Sequence, residues 1–448
     1  MFRRNSHRFT MGVVASLIMV GCASKPMITN QRSAVQPSVD TRLIETRSVD
    51  TGSMSQLSIP PYSITSRTPE TSDENILVLA SFSGGGTRAA ALSYGVMQGL
   101  KDTYYSRDNE QYRLLDQLSV VSSVSGGSFT SAYYGLYQDK LFTHYEEEFL
   151  YKNISLSLIS ILTSPTYLFS GTDRSAAAAK FYNDNLFSQS TFSDIPDDGP
   201  MILINATDVG GAVRFSFVQE YFDLLCSDIN QYSVASAVAA SSAVPFIFTP
   251  VLLQNYDDCD ATFNAQQWST HSTLSHTTTE GLSSYADKES RPFIHLIDGG
   301  ITDNIGLMAL YDIFESNNKT FNQRLAHIDQ VVVISVDAST EPDWKIDDSP
   351  KSPSARNLIG AVTDVQLHRY NDMSKMLIED RLRQWEEEVT GRSAYFVDIN
   401  LSTSEQSDFM NQIPTDFNLE GNQVDALIAH GYGQILHHPT LAEALKSD

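Results

Sequence analysis

Val120-Val121-Ser122-Ser123-Val124-Ser125-Gly126-Gly127-Ser128 decides how the chain is read. An apolar, β-branched run ends in a serine flanked by small residues, and a helical-looking segment follows at once. A strand that turns sharply into a helix lifts one hydroxyl out of the backbone, which is the arrangement of a nucleophile elbow. The usual form is Gly-x-Ser-x-Gly. Here Ser123 takes the first glycine position, Ser125 the nucleophile position and Gly127 the last. Small residues are needed there because backbones crowd at the turn. Ser and Gly also mark ordinary turns, so this stretch alone leaves a plain turn open.

Upstream, Ile76-Leu77-Val78-Leu79-Ala80-Ser81-Phe82 is the continuous apolar run of a strand buried on both faces. Ser83-Gly84-Gly85-Gly86-Thr87-Arg88 follows directly, and Ala89 to Leu100 reads as a helix. Three glycines between a buried strand and a helix start bring several N–H groups to one point, near the positive end of a helix. The anion could be a nucleotide phosphate or a transient oxyanion. The phosphate-loop pattern needs Gly-Lys-Ser/Thr and the dinucleotide pattern Gly-x-Gly-x-x-Gly; neither is present, so an oxyanion hole at Gly84–Gly86 is favoured over a bare glycine turn.

Downstream, Leu118–Val124 and Met201–Ala206 read as buried strands, with Val213–Val218 as a hairpin-like partner of the second. Ser233–Ala240 is a small-residue helix that leads into Ala240-Ser241-Ser242-Ala243-Val244-Pro245-Phe246, where proline ends it. Leu253 to Arg291 is polar and patternless, as in a surface insertion. Phe293–Ile297, Val331–Val336 and Ala394–Ile399 are further strands; Asp364–Glu386 and Gln423–Leu436 are helices. Alternation of strands and helices predicts an α/β fold with a mostly parallel central sheet and helices on both faces. The glycine loop, the elbow and Asp298-Gly299-Gly300 each follow a buried strand, and sites of open α/β sheets gather at the carboxyl edge. Asp303 is expected to cap the next helix and Asp208 to be structural. The uncharged run Ile154–Leu162 is either a core helix or a lid or lipid-facing patch over the site; it is too short to span a bilayer.

At the amino end, Arg3, Arg4 and Arg8 precede an uncharged apolar run from Thr10 to Val20, the pattern of an export signal over residues 1–21. Met19-Val20-Gly21-Cys22 resembles a bacterial lipobox, which implies lipidation at Cys22. Ala23 after the cysteine implies an outer-membrane lipoprotein facing the periplasm. Residues 22–73 read as a Ser/Thr/Pro-rich tether, with an extended arm packed on the domain as the alternative, and residues 74–448 as the folded domain. Cys226 and Cys259 then sit in a disulfide-permissive compartment, and sequence leaves open whether they pair. Removing residues 1–21 deletes three arginines and no acid, taking the formal charge from −24 to −27. Such a surface argues against nucleic-acid partners and against docking on anionic lipid by charge. No metal-ligand spacing appears, and no cofactor is implied.

The chain resembles the patatin-like phospholipase family over roughly Glu74 to His438. The resemblance rests on Gly84-Gly85-Gly86-x-Arg88, Ser123-x-Ser125-x-Gly127, Ala240-Ser241-x-Ala243-x-Pro245 and Asp298-Gly299-Gly300, in that order. It implies a hydrolase of acyl-lipid esters with Ser125 as nucleophile, Asp298 as its partner, Gly84, Gly85, Gly86 and Arg88 as the oxyanion-hole loop, and no cofactor. Ser123 for glycine and Ala89 for the glycine that often follows the arginine are departures. Two other readings stay open. One is a Ser–His–Asp hydrolase using His327 or His430; the other is a lipid-binding envelope lipoprotein without catalysis.

Overall fold

The computed structural model describes residues 27–33, 62–67, 71–154, 173–245, 247–257, 259, 276–316, 319–341, 350, 354–404 and 406–446. Cys22, the export signal and residues 155–162 of the apolar run lie outside them.

Ten strands follow in chain order: β1 (Ile76–Phe82), β2 (Tyr104–Arg107), β3 (Glu110–Arg113), β4 (Leu118–Val124), β5 (Met201–Asp208), β6 (Val213–Ser216), β7 (Val251–Gln254), β8 (Phe293–Asp298), β9 (Gln330–Asp337) and β10 (Ser393–Asn400). All but the β2–β3 hairpin form one sheet in the order β10-β9-β1-β4-β5-β8-β7, with β6 also on β5. β1, β4, β5 and β9 are buried along their whole length. That is why their sequences are continuous apolar runs rather than alternating ones. The five strands from β10 to β5 are parallel. β8 is antiparallel to β5, and β7 to β8.

The helices that matter for the site are α1 (Gly86–Asp102), α2 (Gly126–Tyr137), α3 (Arg174–Tyr182), α4 (Val234–Ser241), α5 (Gly300–Asp303), α6 (Leu307–Glu315), α7 (Ala355–Glu388) and α8 (Gly421–His437). The sheet is thus mostly parallel and flanked by helices, as expected. Behind α2 the core is aromatic. Phe129, one turn into that helix, stacks on Phe149 with ring centres 4.5 Å apart and meets Tyr182 edge-on at 4.9 Å. Aromatic pairs of this kind add about 0.5–1.5 kcal/mol beyond burial, and here they fix the first turn after the elbow.

Two expectations are corrected. The described parts of residues 22–73 are not a free tether. Ile28 bridges to Leu252 and Arg32 to Ser227, and Tyr62 is fully buried, its hydroxyl accepting from Ile202 N at 2.7 Å. This is the packed arm, and it puts core residues ahead of Glu74. The second correction concerns direction. β8 does not run alongside β5 toward the carboxyl edge of the parallel strands; it enters from beyond that edge and ends on it, Asp298 standing opposite Ala206. Cys226 and Cys259 form a disulfide, with Cα atoms 5.6 Å apart. It fastens the start of the polar insertion to the residue after helix Gln219–Leu224 and its turn.

Candidate active site

Ser125 sits between β4 and α2 at φ 48°, ψ −117°. A side chain in that region costs of order 1–3 kcal/mol, and the surroundings hold it there. Its N–H donates to Ser241 Oγ at 2.8 Å. Ser241, fully buried at the end of α4, donates in turn to Asn205 O at 2.6 Å. Ser123, in the position where glycine is usual, is still regular strand. Its hydroxyl donates to Leu203 O at 3.2 Å, so serine is accommodated there.

Asp298 ends β8 opposite Ala206, one residue beyond Asn205, which faces Val124. Ser125 Oγ donates to Asp298 Oδ2 at 2.9 Å, and Gly300 N–H donates to Oδ1 at 2.8 Å. The backbone is fastened as well: Asp298 N–H reaches Ala243 O and Gly299 N–H reaches Ser241 O, both at 3.1 Å. The Ala240–Pro245 motif therefore holds both partners, Ser125 through Ser241 Oγ and Asp298 through backbone carbonyls. Only 9% exposed, the Asp298 carboxyl is pushed by burial up to about 6, against the opposing bonds from Gly300 and Ser125.

The glycine loop meets the elbow backbone to backbone. A Cβ on Gly126 would fall 2.0 Å from Gly86 O, and Gly86 itself has φ +60° with Asp416 O 2.5 Å from where its Cβ would stand. Neither α1 nor α2 has a side-chain cap at its start. Among the described residues, the N–H groups of Gly85, Gly86 and Gly126 have no partner, and they belong to the two helix starts beside Ser125.

Two members of the expected loop do something else. Gly84 N–H is committed to Asn304 O at 2.8 Å, which ties the glycine loop to the Asp298 loop. Arg88 Nη1 donates to Ile413 O at 2.6 Å. Burial lowers its guanidinium to about 10 against the attraction of Asp337 and Asp364. With Thr87 N–H on Asp416 O at 2.8 Å, Arg88 anchors segment 413–416 against the loop. Gly126 N–H is a candidate donor that lies outside the glycine loop expected from the sequence. Its signal was the rule that the residue after the nucleophile lends its N–H.

The rival groups are elsewhere. Asp303 accepts from Met308 N and Ala309 N at 3.3 and 3.1 Å, capping α6. Asp208 is paired with Arg291 at 2.7 Å. His327 lies just before β9, at the opposite end of the sheet, and is exposed. His430 Nε2 donates to Asn400 O at 2.8 Å, at the end of β10. Three strand spacings, about 14 Å, separate β10 from β4. No imidazole shares a hydrogen bond with Ser125 or Asp298 among the described residues.

Residues 80–311, more than half of the chain, match the family described as patatin-like phospholipase, and the chain belongs to that family. Comparison with curated protein sequences returns no match. Among solved structures, human GIVD cytosolic phospholipase A2 is 16% identical over 62% of this chain, with a TM-score of 0.37. The chain spans 48% of that protein's length. VipD from Legionella pneumophila is 12% identical over 84% of this chain and 68% of its own, with a TM-score of 0.35.

Proposed function

We propose that the protein is a lipid acyl hydrolase working through a Ser125–Asp298 dyad. The observation that carries this reading is the 2.9 Å bond from Ser125 Oγ to a buried carboxylate, beside three unpartnered N–H groups. Ser125 Oγ attacks the ester carbonyl and its proton passes to Asp298 Oδ2. An ordinary aspartate is a feeble base for a hydroxyl; burial brings this one to about 6, closer to working pH. The carbonyl oxygen, now negative, takes up N–H donors of Gly85, Gly86 and Gly126, each worth on the order of 3–4 kcal/mol when well placed. Collapse expels the alcohol, which takes the proton back from Asp298, and leaves the acyl group on Ser125. Water then repeats the sequence and frees the fatty acid.

The test is covalent labelling by a fluorophosphonate together with fatty-acid release from defined lipids. Ser125→Ala is expected to lose both while staying folded. Activity retained in this variant, with label on another serine, would refute the dyad. The reading extends to anchoring: Cys22 carries the lipid and holds the enzyme in the cell envelope, at the periplasmic face of the outer membrane. Cys22→Ser is then expected to release the protein from membranes and to lose metabolic labelling by an alkyne fatty acid. Persisting label would overturn it.

A further inference from the structure

Helix α7 carries an apolar row that no described residue covers. Leu358, Val362, Val365, Met373 and Met376 are each more than half exposed. At 100° per residue they fall within about 80° of one another, a single stripe interrupted by Arg369. The lower half of the helix is fixed to the sheet. Lys375 Nζ bridges Asp337 and Asp398 at 3.1 Å each, and Arg392 Nη1 donates to Trp385 O at 3.4 Å. The helix therefore runs antiparallel to β9 and β10, and everything before Asn371 passes beyond the edge that carries Ser125. None of residues 361–370 is buried. Leu358 to Tyr370 amounts to about 20 Å of projecting helix. It starts beside the site, because α7 packs on α5, the helix that follows Asp298. Ile301, three residues after Asp298, is 54% exposed on that same α5.

The charge of this stretch sets it apart. The chain carries −24, yet along the projecting stretch from Leu358 to Tyr370 the one acid, Asp364, is balanced by Arg369. No helix among the described residues is long and apolar enough to cross a membrane. A charge-balanced, apolar, exposed helix on an acidic body suits the plane of a zwitterionic interface, where attachment comes from apolar contact. A second copy seated here would stand before the edge through which an ester has to enter.

We propose that this face of α7 seats the protein on a zwitterionic lipid surface, with the Ser125 edge turned toward the bilayer. The proposal rests on the hydrolase reading and names the physical form of its substrate. The test uses the full chain with an environment-sensitive fluorophore on Val365→Cys, and on Glu387→Cys as a control at the far end of the helix. Phosphatidylcholine vesicles are expected to shift the Val365 label to the blue and leave the Glu387 label unchanged. In parallel, the triple variant Val362→Ser, Val365→Ser, Met373→Ser is expected to lose about tenfold in hydrolysis of those vesicles and to keep the wild-type rate on a short-chain soluble ester. A silent Val365 label on vesicles that the same sample hydrolyses would overturn the proposal, as would full vesicle activity in the triple variant. A blue-shifted label without vesicles also overturns it: growth with protein concentration would assign the face to a second copy, and independence of concentration to the chain itself. A wild type inert on the soluble ester would instead refute the hydrolase reading, while the label still reports whether α7 meets lipid.

Discussion

Asp298→Asn is expected to stabilise the protein above pH 6 while removing its activity. Burial carries this carboxyl from 3.8 to about 6. A shift of that size corresponds to about 3 kcal/mol set against the ionised folded state. Well below pH 3.8 folded and unfolded chains both hold the proton and the cost is absent. As pH rises toward 6 the unfolded chain has released the proton and the folded one has not. Above 6 the folded protein must ionise a buried group, and the full loss of stability is in place. Asparagine has no charge to desolvate. Its oxygen still accepts the Gly300 N–H, and its amide N–H can donate to Ser125 Oγ, which reverses that bond but leaves a hydrogen bond in its place. At ~2.1 cal/mol/K per residue over roughly 375 residues, 3 kcal/mol is about 4 °C in Tm. Paired melting scans from pH 4 to 8 read the difference between variant and wild type, which cancels every other titration. It is expected to be small at pH 4, to widen up to about pH 6 and then to level off. In the same range wild-type kcat/KM rises to a plateau as Asp298 ionises, and the variant falls about 10³-fold. A Tm difference that ignores pH, or a variant less stable than wild type at pH 8, would mean that the carboxylate is not a burdened base.

His327→Ala and His430→Ala are expected to leave turnover near wild type; a loss of about a hundredfold in either, with the fold intact, would put an imidazole into the reaction. Ser241→Ala removes the acceptor that Ser125 N–H uses at 2.8 Å, leaving a buried donor unpaired at a cost of about 1–3 kcal/mol. Its kcat is expected to fall about tenfold or more with KM unchanged, and fluorophosphonate labelling to slow in step; unchanged labelling would show that Ser241 is mere packing.

The parts of the fold that could be read from sequence are those whose burial is local and complete. β1 and β4 occupy the residues their apolar runs marked, because a strand covered on both faces admits little else. Ser125 was legible because a sharp strand-to-helix turn demands small neighbours. The direction of β8 was not, since an apolar run reads the same either way along a sheet. The arm at residues 27–33 and 62–67 stands only as an alternative in the sequence for a different reason: it is held by backbone bridges and by Tyr62, and so has no period. Which glycine N–H stays free was beyond reach as well, because Gly84 is taken by Asn304, 220 residues on, a pairing only the folded chain creates. The exposed row of α7 was hidden by its own polar and apolar mixture, which gives the 34-residue helix no dominant face.

The butted starts of α1 and α2 have an electrostatic side. Each helix presents roughly half a positive charge at its first turn, and neither end is neutralised by a cap. Two like poles pressed together by glycine contacts repel, so the resting enzyme is electrostatically tense at this point. Relief comes when something negative lies between the poles. In the proposed reaction the tetrahedral intermediate would supply that for an instant, and the carboxylate of the freed fatty acid for longer. On the proposed reaction, the same tension that favours bond cleavage gives the product a reason to linger, and removal of fatty acid from the site is expected to enter turnover.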